Sequence, residues 1–398
     1  QLKRLKDVEG TSIFAGKKSE VILVDQSMAN LASNNARQIY NQISGLNIYQ
    51  NDDAGIQLHI GGRGLDPNRT SNFNTRQNEY DISADVLGYP ESYYTPPSEA
   101  IKEIQIVRGA ASLQYGTQFG GLINFIMKEP SNKKVELITR NTAGSNNLYT
   151  TFSSLSGRGK KVSYYTYYNY KKGDGFRDNS EFKSNNFYIH LGYEVNIKTK
   201  ITGEISYLNY LAQQAGGLSD RMFSTAPLQS NRSRNWFGLD WFLFNLKLKH
   251  KFSSASNLSI NFFGLDAERN SIGFRSNRVD QVDPFTERDL IKGEFNNHGV
   301  EVKYLNNYSF FNLKNVFVIG GKYYRSKSTS RQGPGSNLGD ADFDFYLDKF
   351  PNYTNQSDYI YPNKNIALFG ENIIYITDKI SLTPGLRYEN ILTRSDGS

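Results

Sequence analysis

The side chains best suited to chemistry in this sequence are arginines in polar stretches, because no nucleophile or metal-binding cluster accompanies them. A guanidinium presents a fixed fork of donors that meets a carboxylate through two parallel hydrogen bonds. Arg232, Arg234, Arg275, Arg278, Arg325 and Arg331 fall in or beside long polar loops expected near 212–238, 268–296 and 328–362. There they could meet an anionic ligand or simply sit in water. Arg69 lies in another polar stretch, 66–97, with Ser71, Asn72, Asn74, Tyr93 and Tyr94 nearby. Catalysis is not indicated. The four histidines, His59, His190, His250 and His298, are isolated and lack metal-ligand spacing. Cysteine is absent, and Ser112 sits in no Gly-x-Ser-x-Gly elbow. The glycine-rich 116–121 segment is not followed by the Lys-Ser/Thr of a phosphate loop. The residues predict neither an enzyme nor a resident cofactor or metal.

Two textures of chain must position these arginines. In the first, 100–130, Ile101, Ile104, Ile106 and Val107 make a β-branched run that ends at Arg108-Gly109. A second apolar run, Leu122, Ile123, Phe125, Ile126 and Met127, closes at Glu129-Pro130. Upstream, 12–14 and 21–24 read as short strands, a helix is expected over 36–43 behind an Asn34 or Asn35 cap, and strands follow at 46–49 and 56–60. His59 alternates with Leu58 and Ile60 and reads as a structural histidine.

From Val135 the texture changes to alternating strands of about ten residues. Phe187, Ile189, Leu191, Tyr193 and Val195 alternate with Tyr188, His190, Gly192, Glu194 and Asn196, and the same period of two recurs at 244–251 and 380–389. Short turns are expected at 145–147, 157–159, 196–198, 253–255 and 377–379. With 27 Tyr and 25 Phe, an aromatic content of 14% stands against a hydrophobic content of only 38%. Disordered chains lack such aromatics, whereas strands with one polar and one apolar face, girdled by aromatics, have them. No run is long enough for a transmembrane helix, so any spanning must be by strands. The net charge of +7 is dispersed without a basic run, which argues against nucleic acid. Gln1-Leu2-Lys3-Arg4 does not resemble a signal peptide, and the chain reads as processed or trimmed.

The string IQIVRGAASLQYG…GGLINFIMK resembles the end of the plug domain of TonB-dependent outer-membrane receptors, and IGGRGLDPNRTSNFN…YYTPP resembles their ferric-dicitrate branch more narrowly. The resemblance covers roughly 21–128. It implies a mainly β chain, with a lead-in over 1–10, a mixed α/β plug over 11–132, and the N-terminal part of a transmembrane antiparallel barrel over 133–398. About eleven strands are expected, roughly half of a 22-stranded barrel, so the chain is expected to be partial. One departure stands out: Asn78-Glu79 replaces the usual Asp-Gly before Tyr80.

The resemblance further implies outer-membrane import of a ferric chelate, first of all ferric dicitrate or a similar anionic siderophore, with the iron carried as chelated cargo. Lipid would surround the barrel, and TonB with its inner-membrane energising complex would pull the plug. Arg69 and Ser71 align with the apex string of the branch, with Asn72, Asn74, Tyr93 and Tyr94 beside them. Arg63 and Arg108, each preceding a glycine, are expected to join the plug to the barrel wall. Glu194, Glu204, Glu301, Glu371 and Glu389 are their expected partners by strand parity. A cobalamin or glycan cargo, a non-transporting surface barrel, or a soluble β-rich binding protein remain open alternatives.

Overall fold

The computed structural model describes residues 2–398 apart from 27–29, 34, 36, 41–44, 51, 53, 56, 57, 63, 90, 109–112, 117–119, 311, 312 and 378. The N-terminal part contains β1 (Leu2–Lys3), β2 (Val8–Glu9), β3 (Ser12–Ile13), β4 (Ser19–Leu23), α1 (Arg37–Tyr40), β5 (Leu46–Gln50), β6 (Leu58–Gly62), β7 (Phe73–Gln77), β8 (Tyr80–Asp81), β9 (Ile101–Arg108) and β10 (Gly121–Met127). The two apolar runs of 100–130 pair antiparallel as β9 and β10 at the centre of a six-stranded sheet ordered β1-β4-β9-β10-β7-β8. The β10–β7 pair is parallel. Gly121 permits the β9–β10 approach: its φ is +115°, and a Cβ there would lie 2.0 Å from the Val107 carbonyl. Of the expected helix, α1 is described, with Asn35 Oδ1 accepting from the Arg37 N–H at 3.0 Å. Asn34 lies outside the described residues.

The Asn78-Glu79 departure has a structural reason. Gln77 pairs with Tyr80, so Asn78 and Glu79 form a two-residue hairpin loop with φ of 45° and 77°. Positive φ at both positions normally selects Asn-Gly, and glutamate there is strained. The strain places the Glu79 carboxylate 2.9 Å from Lys247 Nζ on the facing wall.

The rest of the chain is one meander: β11 (Glu136–Ala143), β12 (Tyr149–Arg158), β13 (Val162–Gly173), β14 (Phe182–Asn196), β15 (Thr199–Gln213), the loop helix α2 (Asp220–Thr225), β16 (Trp236–Lys251), β17 (Ser256–Gly273), β18 (Asp289–Phe310), β19 (Leu313–Pro334), β20 (Ser357–Tyr375), β21 (Ser381–Leu382), β22 (Gly385–Thr393) and β23 (Asp396–Gly397). Each strand from β11 to β20 pairs antiparallel with the next, and β21, β22 and β23 all pair with β20. The barrel is not closed, because β11 and β22 at its ends do not pair.

One face of this wall packs on the N-terminal sheet. Ile104, Ile106 and Ile123 share a core with Leu208, Trp241, Phe263 and Leu265. The other face exposes Leu155, Leu191, Ile205, Leu246, Phe262, Ile319, Ile366 and Leu368. An apolar band that broad on a strand meander faces lipid, not water. Among the described residues no helix is long and apolar enough to cross a membrane.

Two sequence expectations are corrected here. β18 and β19 each run 22 residues, about twice what a bilayer requires, so the loops shrink to 274–288 and 335–356. Beyond the lipid both strand faces are polar, and polarity therefore reads as loop. The 145–147 turn falls at the same end as the long loops 214–235, 274–288 and 335–356, because an antiparallel meander alternates ends at every strand.

Candidate functional site

The N-terminal sheet meets the wall through a buried polar seam and, at the long-loop end, leaves a cavity. The seam is organised by the β7–β8 hairpin. Arg76 is fully buried, with Nη2 lying 3.1 Å from Asp81 Oδ1 and Nη1 3.4 Å from Glu301 Oε2 on β18. It also donates to Asn74 Oδ1 at 2.8 Å and to the Glu79 carbonyl at 2.5 Å. Lys303 lies 3.0 Å from Glu301, and Lys322 of β19 pairs with Asp81. Burial lowers the Arg76 pKa, but Asp81 and Glu301 outweigh it and leave the guanidinium raised. Burial likewise pushes the Glu79 carboxyl up, yet Lys247, Lys249 and Lys303 hold it well below the usual carboxylate range.

Further contacts tie the N-terminal part to the wall. Asn78 Nδ2 donates to Glu204 Oε1 of β15 at 2.7 Å. Asp85, buried just beyond β8, accepts from Tyr324 OH at 3.0 Å, Ser326 Oγ at 2.8 Å and Asn363 Nδ2 at 2.6 Å. Near the short-turn end, Glu371 takes Lys17 Nζ at 2.9 Å and Gln114 Nε2 at 2.6 Å.

The cavity is about 1100 Å³ and lies between α1, Gln50, Asp52 and loops 174–181, 214–235 and 274–288. Among the described residues four arginines line it: Arg37, Arg177, Arg232 and Arg275. Arg177 and Arg232 are spent on loop carbonyls, Arg177 on Gln229 at 2.9 Å and Arg232 on Gln281 at 3.1 Å. Arg37 and Arg275 are exposed, and among the described residues neither guanidinium has an ion-pair or hydrogen-bond partner.

Behind the cavity two buried arginines clamp the loops together. Arg234 grips Asp283 at 2.9 and 2.6 Å and donates to the carbonyl of Asn337 at 2.9 Å. Arg288 donates to the carbonyls of Ser336 at 2.9 Å, Arg234 at 3.0 Å and Asp340 at 2.7 Å. Burial raises the Asp283 pKa, but hydrogen bonds from Arg234 and the Phe285 N–H outweigh it and leave the carboxyl lowered. A lowered folded pKa gives stability that is present above the unfolded value, about 3.9, and lost as pH falls through the folded one. The clamp is therefore expected to hold from pH 7 down to about 4 and to loosen below it. Amide exchange of 274–288 and 335–356 against pH checks this. Asp283→Asn should exchange fast at every pH, and a wild-type profile flat to pH 3 would refute the clamp's role.

The positions of the sequence candidates divide clearly. Arg275 and Arg232 line the cavity. Arg234 is the clamp, and Arg278 pairs with Asp280 at 3.2 Å on the surface. Arg325 and Arg331 are corrected from loop to strand: both lie in β19 and point outward, away from the cavity, with Arg331 on Glu294 at 2.6 Å. Arg69 sits in a single 3-10 turn, Asn68–Thr70, which Ser71 ends, and Asn72 donates to the Asp66 carbonyl at 3.0 Å. Ser71, Asn72, Asn74, Tyr93 and Tyr94 do not line the cavity. Asn74 is held by Arg76, and Tyr93 and Tyr94 are buried, Tyr93 against Phe237 and Trp241.

Arg108 pairs with Glu20 of β4, the strand beside β9 in its own sheet, at 2.7 Å. Arg63 lies outside the described residues. Glu204, Glu301 and Glu371 contact the N-terminal sheet as above. Glu389 pairs with Arg387, which reaches the Leu113 carbonyl at 2.6 Å. Glu194 is exposed at the short-turn end. Arg76, Asp81 and Asp85 escaped the sequence reading, although an ionisable trio packed into a turn between strands was a usable signal.

A plug sheet pinned inside an antiparallel wall with a lipid-facing band defines a plugged outer-membrane β-barrel. The family model for the TonB-dependent receptor plug domain matches residues 17–122, and that for the TonB-dependent receptor-like β-barrel matches 197–398. The chain belongs to the TonB-dependent receptor family and to the outer membrane. No curated protein matches it in sequence. Among solved structures, the unliganded ferric citrate transporter FecA superposes with a TM-score of 0.81 at 18% identity, covering 97% of this chain and 57% of that one. The ferripyoverdine receptor of the outer membrane of Pseudomonas aeruginosa gives 0.74 at 16%, covering 95% and 52%. The copper transporter OprC gives 0.69 at 15%, covering 95% and 59%. This chain thus spans a little over half the length of these structures.

Proposed function

We propose that the chain takes part in import of a ferric chelate, with ferric dicitrate or a similar anionic siderophore as the first candidate. In this reading 1–10 is a lead-in, 11–132 the plug and 133–398 about half of a closed barrel's wall, and the protein is a transporter and not an enzyme. The observation that supports it best is the cavity with two guanidiniums that have no ion-pair or hydrogen-bond partner among the described residues, Arg37 from the plug side and Arg275 from the 274–288 loop. Two forks facing one cavity suit a ligand carrying several carboxylates, since each can make a charge-assisted pair. FecA, the ferric citrate transporter, supports that choice, whereas OprC warns that the fold also carries other cargo. Iron would travel as part of the chelate, without a resident cofactor. TonB and its energising complex would act on the plug after capture, and Arg69 with Ser71 and Asn72 would be further ligand contacts from the plug apex.

Titrating the full-length protein in detergent with ferric citrate, followed by tryptophan fluorescence or calorimetry, tests this. Arg37→Gln with Arg275→Gln is expected to weaken binding by about tenfold or more, at about 1.5 kcal/mol or more per lost charge-assisted bond. Arg278→Gln should leave binding unchanged. Unchanged affinity in Arg69→Gln would remove that residue from the site. Binding of iron-free citrate with equal affinity, or no saturable binding, would overturn the ferric-citrate assignment while leaving the receptor fold in place.

A further inference from the structure

The outer face of β18–β20 carries a row of cations that the import reading does not use. The strand register sets His298 opposite Arg325, Arg325 opposite Lys364, and Asn296 opposite Lys327. Neighbours in such a lattice stand about 5 Å apart across strands and about 7 Å along one strand. Arg325, Lys327 and Lys364 are exposed on one face, and among the described residues none has an ion pair or hydrogen bond through its side chain. Lys364 Nζ leans over the Tyr323 ring at 5.7 Å. Like charges set side by side repel, so a bare cluster of three is unfavourable unless something anionic covers it.

Its height on the wall says what covers it. Directly on the short-turn side come Val300, Tyr323 and Ile366 in register, then Val302 and Leu368, then Tyr304 and Ile319. These belong to the lipid-facing band, with Ile319, Ile366 and Leu368 among its most exposed members. On the loop side, by contrast, the outward charges are balanced: Lys292 pairs with Glu268 at 3.3 Å and Arg331 with Glu294 at 2.6 Å. Of the other outward acids, Asp358 stands opposite Arg331, and Asp266 is separated from Lys327 by Asn296. The cations without carboxylates lie between those pairs and the apolar band, with Arg325 and Lys364 at its edge.

We infer that Arg325, Lys327 and Lys364 form a docking row for the phosphate groups of outer-leaflet glycolipid, whose acyl chains lie on the band beneath. Each cation can supply a charge-assisted bond to a phosphate oxygen, and the stems of Lys364 and Arg325 cover apolar surface while their heads reach the headgroup layer. The inference rests on the orientation of the wall and is independent of the cargo.

Purified full-length protein in detergent, titrated with fluorescent lipopolysaccharide, tests it. Arg325→Gln, Lys327→Gln and Lys364→Gln combined should weaken binding by about tenfold or more, and Lys292→Gln should leave it within about twofold. Wild-type protein should prefer phosphorylated over enzymatically dephosphorylated lipopolysaccharide by a similar factor, a comparison that stands even if the triple variant fails to fold. Equal binding of both lipids, or an unaffected folded triple variant, would overturn the assignment. Displacement of the lipid by millimolar inorganic phosphate would also overturn it, since the row would then bind the free ion.

Discussion

Glu301→Leu is expected to destabilise the plugged barrel by about 3–5 kcal/mol, more than Arg76→Met, even though the two residues are partners. Among the described residues, the ion pairs around the β7–β8 hairpin join four cations, Arg76, Lys247, Lys303 and Lys322, to three anions, Glu79, Asp81 and Glu301. Removing Glu301 leaves four cations on two anions in a site where Arg76 and Lys303 are nearly water-free. An uncompensated buried charge is the costly outcome of breaking such a network. Removing Arg76 instead leaves three against three, and the loss is mainly its hydrogen bonds to Asn74, Glu79 and Glu301, about 1–3 kcal/mol. Thermal unfolding of the full-length variants in detergent gives the order directly. Planar-bilayer conductance gives the consequence, a leak that is larger in Glu301→Leu. An Arg76→Met variant less stable than Glu301→Leu would show that charge balance does not govern the seam.

Asp85→Ala is the second large effect, by a different mechanism. Asp85 gathers donors from Tyr324, Ser326, Ser328, Asn363 and the Leu87 N–H, and among the described residues has no cation as an ion-pair partner. Alanine strands several buried donors at once, each worth about 1–3 kcal/mol, so the expected loss is at least about 3 kcal/mol. Asp85→Asn should cost less, because hydroxyls can turn and the Asn363 amide can flip to accept from the new NH2 group. Limited proteolysis across 82–97 together with thermal unfolding reads both. Equal stability of the alanine variant and the wild type would show that water replaces the carboxylate without cost and that Asp85 does not anchor the plug.

The two predictions concern residues that local sequence made visible only in part. The period of two set which side chains of each wall strand share a face, and so put Glu194, Glu204, Glu301, Glu371 and Glu389 on the inward face, Glu194 at an exposed strand end. Alternation depends only on neighbouring residues, as do the β-branched runs of β9 and β10. The resemblance of 21–128 to plug domains rests on ordered local motifs for the same reason.

What the chain does with its charges was decided by packing between residues far apart in sequence. Arg76 meets Glu301 across 225 positions and Asp85 meets Asn363 across 278. Arg234 and Arg232 look like free loop arginines until the loops fold on each other, when their guanidiniums are consumed by carbonyls and Asp283. Arg37 and Arg275 come together from the plug and the 274–288 loop, and Arg325 leaves the mouth for the lipid edge because β19 continues past the end of its apolar pattern. Local alternation determines a strand and its faces. Which opposite charge, carbonyl or lipid a side chain reaches is a property of the layers stacked on that face, and only the tertiary structure contains them.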